Sequence, residues 1–126
     1  MEQPPWIWDK ESEIPSRTPS MTASQCYEYI AHLQKGSPGG HYLGANLIRC
    51  PKPSKQTYPS EKPVKLLQEI IDSASQPGEL VLDPCMGSGS TLIAALRAGR
   101  RVVGIDISKE ACDIARSRLS LAFGLT

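Results

Sequence analysis

The chain has 126 residues, of which 40 % are hydrophobic and 21 % charged, and its 14 Lys and Arg balance 13 Asp and Glu to a net charge of +1. That length suits one domain or part of one, and the composition disfavours wholesale disorder and fibrous repeats. The near-neutral balance excludes a chain-wide positive field that would hold DNA through many phosphates, so any nucleic-acid contact must be local.

Residues 1–21 contain Pro4, Pro5, Pro15 and Pro19 and suit an extended Pro-rich N-terminal arm, in which only Trp6-Ile7-Trp8 has much apolar surface to bury. Residues 22–57 predict a helix, a possible strand and a basic loop. From Thr22 to Leu33 the residues Cys26, Tyr27, Ile30 and Leu33 fall at helical spacing, with Gly36 placed to end a helix. A turn at Ser37-Pro38-Gly39-Gly40 leads into a possible strand from Tyr42 to Ile48. Residues 49–65 carry Arg49, Lys52, Lys55, Lys62 and Lys65 against one acid, Glu61, and are stiffened by four prolines. This stretch reads either as a local contact for DNA phosphates or as a solvated loop.

Residues 58–126 predict a helix followed by a βαβα unit. Pro63 suits the first helical turn, Leu67, Ile70, Ile71 and Ala74 line one face, and Gln76-Pro77-Gly78 stops the helix. Glu79 to Asp83 is a short apolar run of the buried parallel-strand type, Thr91 to Ala98 a helix, and Arg101 to Asp106 a second strand. Ser108 then N-caps a helix that turns Ala111, Ile114, Ala115, Leu119 and Ala122 inward. In such units ligands sit at the carboxyl ends of the strands, here Asp83 to Gly89 and Asp106 to Ser108.

Asp83-Pro84-Cys85-Met86-Gly87-Ser88-Gly89-Ser90-Thr91 carries the most chemistry. Gly87 and Gly89 let a ligand approach the backbone, and the following helix offers free N–H groups. Asp106, ending the next strand, has the carboxylate needed to accept hydrogen bonds from ribose hydroxyls, which implies a nucleoside-containing cofactor. Leu92 stands where a dinucleotide fingerprint needs its third glycine, and no Walker lysine follows, so pyrophosphate binding and a dehydrogenase reading are disfavoured. The two histidines, His32 and His41, have no metal-ligand spacing, and the four cysteines form no C-x-x-C pair, which argues against a metal site and a disulfide framework. No run of about 18 apolar residues and no signal peptide is present, so a soluble, cytoplasmic protein without membrane contact is expected. Cys85 lies near a helix N-terminus but has no accompanying base, so contact with the cofactor is favoured over a nucleophilic role.

Leu80 to Thr91, with Ala94-Ala95, Gly99-Arg100 and Gly104-Ile105-Asp106, resembles the S-adenosylmethionine-binding half of DNA N6-adenine and N4-cytosine methyltransferases. Tyr58-Pro59-Ser60-Glu61-Lys62-Pro63 resembles the segment that precedes this site and closes over the methionine end of the cofactor. Two motifs in order match the circular arrangement in which the catalytic segment comes first and the cofactor strands last. Residues 6–36, with Trp8-Asp9-Lys10 and Tyr27-Glu28-Tyr29-Ile30, resemble more faintly the strand and helix that follow the catalytic strands. The resemblance implies a partial Rossmann-like α/β fold, an open, mainly parallel sheet with flanking helices. It implies that Asp83, Pro84, Cys85, Met86, Gly87, Ser88, Gly89, Ser90 and Thr91 wrap S-adenosylmethionine, that Asp106 holds the ribose beside Ile107, and that Lys62 and Pro63 shape a lid. A helix-starting Pro63 beside a solvated Lys62 is the bland alternative. Cys85-Met86 replaces the usual aromatic and small residue, and Asp106 replaces the commoner Glu.

The family's catalytic tetrapeptide is an acidic or polar residue followed by Pro-Pro-aromatic, which grips the target amino group while the aromatic stacks on a flipped base. The chain offers only Gln3-Pro4-Pro5-Trp6, with no apolar strand before it. The plainer reading is an arm whose Trp6 and Trp8 pack on the core, with the chain starting downstream of the catalytic strands and its catalytic residues unassigned. A bare sheet edge is then expected, covered by self-association, by a domain-swapped dimer, or by a second chain carrying the missing strands. The function implied is S-adenosylmethionine-dependent methylation of DNA; the alternative is a non-catalytic cofactor- or DNA-binding module derived from such an enzyme.

Overall fold

The computed structural model describes residues 4–11, 26–33, 35–36 and 45–124. Its elements in chain order are β1 (Trp6–Asp9), β2 (Tyr27–Ile30), β3 (Leu47–Arg49), α1 (Val64–Ala74), β4 (Leu80–Asp83), α2 (Ser90–Arg97), β5 (Arg101–Gly104) and α3 (Lys109–Phe123). They form a three-stranded sheet in the order β2-β1-β3 and a two-stranded sheet β4-β5. β1 runs antiparallel to β2, with Trp8 opposite Glu28, and parallel to β3, with Trp8 opposite Ile48. β4 and β5 are parallel, Asp83 opposite Gly104. This is the expected α/β class with mainly parallel pairing, divided among the described residues into two sheets.

Two expectations about the N-terminal half are corrected. The Pro-rich arm contains β1, the central strand of its sheet, because Trp8 is 2 % exposed and its indole Nε1 donates to the Cys50 carbonyl at 2.7 Å. The expected helix over Thr22 to Leu33 is absent from its described residues, 26–33, which instead carry strand β2 at Tyr27–Ile30. Four residues cannot separate period 2 from period 3.6, and pairing with β1 decides for the strand. Glu28 points inward because Lys10 and Lys62 meet its two carboxylate oxygens at 2.9 and 3.0 Å. The strand expected from Tyr42 to Ile48 is Leu47–Arg49; residues 41–44 lie outside the described residues, as does the whole Ser37–Gly40 turn.

α1 joins the two sheets. Leu66 and Ile70 pack with Trp8, Ile48 and Cys50, while Ile71, Val64 and Leu67 pack with Ala94, Ala95, Val81 and Val102. A helix between two layers needs apolar residues on two faces, so Leu66 is buried and Ala74, expected on the single face, is exposed. Pro63 is the N-cap, one position before the first turn, and its carbonyl accepts from the Leu67 N–H at 3.2 Å. Ser108 caps α3 as expected, its hydroxyl accepting from the Ala111 N–H at 3.2 Å. Among the described residues no helix is long and apolar enough to cross a membrane, and no group of His, Cys, Asp and Glu is arranged to hold a metal ion.

Candidate functional site

The parallel pairing of β4 with β5 brings the ends of both strands to one place. Ile105 N–H donates to the Asp83 carbonyl and Met86 N–H to the Ile105 carbonyl, both at 2.9 Å, so the Gly-rich loop is pinned across the top of β5. Asp106 completes the tie, its Oδ2 accepting from the Gly87 N–H at 2.8 Å and its Oδ1 from the Ser108 N–H at 2.9 Å. The hydrogen bonds from Ser108 and Gly87 hold its carboxyl below the usual aspartate value. The Ile107 N–H also acts on this carboxylate, and of its roughly four acceptor positions at least one remains to receive a hydroxyl. Asp83 acts locally, its Oδ1 accepting from the Cys85 N–H at 3.0 Å.

A cleft of about 310 Å3 opens here, lined on one wall by Asp83, Cys85, Met86, Gly87, Ser88, Ser90, Thr91 and Asp106 and on the other by residues 58–62 with Leu67. Nine of the thirteen residues expected in the site therefore meet: Lys62, Asp83, Cys85, Met86, Gly87, Ser88, Ser90, Thr91 and Asp106. Pro63, Pro84, Gly89 and Ile107 do not line it. Pro63 is buried as the cap of α1, and Pro84 and Ile107 are exposed beyond the ends of β4 and β5. Gly89, with φ +79°, faces α3, where an added Cβ would stand 2.9 Å from the Cβ of Ala115. Its missing side chain leaves room for Ala115.

Lys62 is partly exposed but not free. Its Nζ bonds Glu28 and lies 5.5 Å from the Trp8 ring, opposite which Lys10 stands at the same distance. Burial would raise the Glu28 carboxyl, but hydrogen bonds from Lys10 and Lys62 outweigh it and hold the group below its ordinary value. Of the basic loop, Arg49 lies 3.6 Å from Asp9 and Lys62 is engaged with Glu28, leaving Lys52, Lys55 and Lys65 exposed.

Three contributors stand outside the thirteen expected site residues, two of them, Tyr58 and Gly104, within the motifs of the resemblance. Tyr58 faces Gly87, where a Cβ would stand 3.5 Å from its ring. Gly104 leaves room for the Met86 sulfur and for Leu92, whose Cδ1 would lie 2.6 Å from an added Cβ. Arg118, one α3 face-repeat beyond the buried Ala111 and Ala115, turns inward to bond the Ser88 carbonyl at 2.9 Å and both the Ser88 and Ser90 hydroxyls. An arginine on the apolar face of a predicted helix was the available signal. Pro4, Pro5 and Trp6 do not line the cleft: the Pro5 carbonyl accepts from Asn46 Nδ2 at 3.0 Å and Trp6 packs on the Trp8 core beside His32. Gln3 lies outside the described residues.

A family model described as DNA methylase matches residues 8–117. The type II methyltransferase M2.DpnII of Streptococcus pneumoniae is 48 % identical over 93 residues, 74 % of this chain and 35 % of that protein. The type II methyltransferase M.HpaI of Haemophilus parainfluenzae is 30 % identical over 97 residues, 77 % of this chain and 31 % of that protein. The chain thus spans about a third of the length of these relatives. Among solved structures, the M1.HpyAVI–SAM complex superposes with a TM-score of 0.69 at 27 % identity, covering 93 % of this chain and 61 % of the other. The cytosine-N4-specific PvuII DNA methyltransferase, at 17 % identity and a TM-score of 0.70, shares the fold over 90 % of this chain and 49 % of its own.

Proposed function

The chain belongs to the DNA methylase family, and from that premise we propose that it binds S-adenosylmethionine in the β4–β5 cleft and takes part in methylating adenine N6 or cytosine N4 of DNA. The observation that carries the reading is Asp106, which braces Gly87 through one oxygen and still offers an acceptor position beside the Gly-rich loop. The residues fit the cofactor: the cleft reaches the small end of ligand-site volumes, it lies at the carboxyl ends of parallel strands, and the absent Gly87 side chain leaves space under Tyr58. Asp106 would hold the ribose hydroxyls, Asp83 to Thr91 would wrap the ligand, and Tyr58 to Lys62 would form the opposite wall. When bound, the cofactor supplies an electrophilic sulfonium methyl; the chain's own part is to orient it and exclude water.

Activity in this reading needs more than these residues. Leu80, Leu82, Val103 and Ile105 leave the far side of the β4–β5 sheet apolar and exposed, which suits self-association, including a domain-swapped homodimer, or a second polypeptide bearing catalytic strands. Within the basic loop, Lys52, Lys55 and Lys65 would be the contacts for DNA phosphates. A second reading, a non-catalytic cofactor- or DNA-binding module, is favoured by one observation, the engagement of Pro5 and Trp6 in packing. Titration of the chain with S-adenosylmethionine, with a nicotinamide cofactor as control, tests the binding. Saturation by the methyl donor alone is expected, and binding of neither ligand defeats the reading. Methyl transfer to DNA that disappears in Asp106→Ala separates enzyme from module.

A further inference from the structure

The two walls of the cleft come from distant parts of the chain, residues 58–62 and 83–91, and one guanidinium ties them together. Arg118 Nη1 donates to the Ser88 carbonyl at 2.9 Å, the Ser88 hydroxyl at 2.6 Å and the Ser90 hydroxyl at 3.1 Å. Its Nη2 lies 2.8 Å from Glu61 Oε1. The other Glu61 oxygen accepts from the Thr57 N–H at 2.9 Å and the Thr57 hydroxyl at 2.7 Å, which closes the turn that carries Tyr58. The Glu61 side chain is 7 % exposed and that of Arg118 19 %, so this ion pair is largely shielded from water. Within the same turn Ser60 holds φ at +61°, a left-handed conformation that an L residue keeps only where its surroundings enforce it. Arg118 itself is not a cleft residue; it lies along α3 in a separate groove with Thr57 and Leu121.

We infer that Arg118 and Glu61 form a latch that sets the separation of the lid segment from the Gly-rich loop, making Arg118 a positioning residue for ligands that touch both walls. The inference rests on the cofactor reading above for the identity of the ligand. Arginine suits the task because its planar fork serves several acceptors in fixed directions, which one lysine ammonium cannot reproduce. Removing either partner leaves the other charge shielded and unpaired, so the lid turn loses the restraint on Ser60 and Tyr58 leaves Gly87.

The test compares S-adenosylmethionine with adenosine, which lacks the methionine end that the lid would cover, by titration calorimetry on the full chain. Arg118→Met and Glu61→Gln should each weaken S-adenosylmethionine about tenfold and adenosine less than about twofold. The double variant should be no weaker than Arg118→Met alone, because the two act as one unit. Arg118→Lys should recover part of the affinity and guards against simple misfolding. Equal losses for both ligands, or additive losses in the double variant, would overturn the latch and leave only a structural role. If the unaltered chain binds neither ligand the cofactor reading fails, and the latch is then judged by amide hydrogen exchange without ligand. Arg118→Lys should speed exchange in residues 57–61 and 87–90 together, and acceleration confined to one segment overturns it.

Discussion

The three-stranded sheet closes over one fully buried large side chain, Trp8, beside a partly exposed charge cluster, whereas the β4–β5 layer meets its helices through buried alanines and close-packed glycines set among medium-sized aliphatics such as Ile71, Val81 and Val102. Around Trp8, Ile48, Cys50 and Leu66 form the core and Lys10, Glu28 and Lys62 its edge. Around β4–β5, Gly89 touches Ala115, Gly104 touches Met86 and Leu92, and Ala94, Ala95, Ala111 and Ala115 are fully buried. Small residues let backbones approach closely, and close approach is what a loop needs to present N–H groups to a ligand. A large aromatic fills volume and fixes strand positions but leaves no such cradle. The candidate site accordingly lies over the small-residue layer, and the aromatic layer contributes the support behind Lys62.

Trp8→Ala strikes the aromatic layer at its one fully buried large residue and should cost about 3–5 kcal/mol, read as a lower denaturant midpoint. Retention of full stability would show that the N-terminal sheet contributes little. Gly104→Val tests the other layer: overpacking against Met86 and Leu92 should cost about 1–3 kcal/mol and displace the loop, so cofactor binding falls as well. Gly89→Ala meets both a left-handed φ and the Ala115 contact, and its cost should be about 1–2 kcal/mol. If Gly89→Ala lowers ligand affinity with no loss of stability, Gly89 serves the ligand rather than α3.

The smallest expected effect is a pH dependence that distinguishes the layers. The Glu28 carboxyl is depressed by Lys10 and Lys62, so its contribution to stability is complete above the ordinary glutamate value of 4.5 and is lost as pH falls through its lower folded value. Glu28→Gln should flatten that acid limb in urea melts recorded between neutral pH and pH about 3. Asp106 is depressed in the same direction by the Ser108 and Gly87 N–H groups. An unchanged acid limb in Glu28→Gln with a flattened one in Asp106→Asn would place the sensitivity in the small-residue layer instead.

The difference between the layers also explains what could be read in advance. From Leu80 to Ala122 each element follows from local pattern: apolar strand, Gly-rich turn, Ala-rich helix and a Ser108 cap. Eight of the nine expected site residues in the cleft meet because parallel strands must bring their carboxyl ends together; Lys62 comes from the opposite wall. In the N-terminal half the four-residue strands β1 and β2 lack a readable period, and the prolines around β1 suggested an arm. Their pairing depends on partners about 20 and 40 positions away in sequence, a coupling that local propensity does not carry.

By itself, the amino-acid order determined the βαβα unit, the loop from Asp83 to Thr91, the placement of Asp106 beside it and the family to which these belong. Those depend on contacts near in sequence and on residue types that the backbone conformation demands. Tertiary structure alone decided that β1 is a central strand, that Glu28 faces two lysines, that Gly89 answers to Ala115, and that Arg118 joins Glu61 to Ser88. Each of these is a meeting of side chains separated by more than a turn or hairpin, and only the folded packing brings such groups within hydrogen-bond or van der Waals distance.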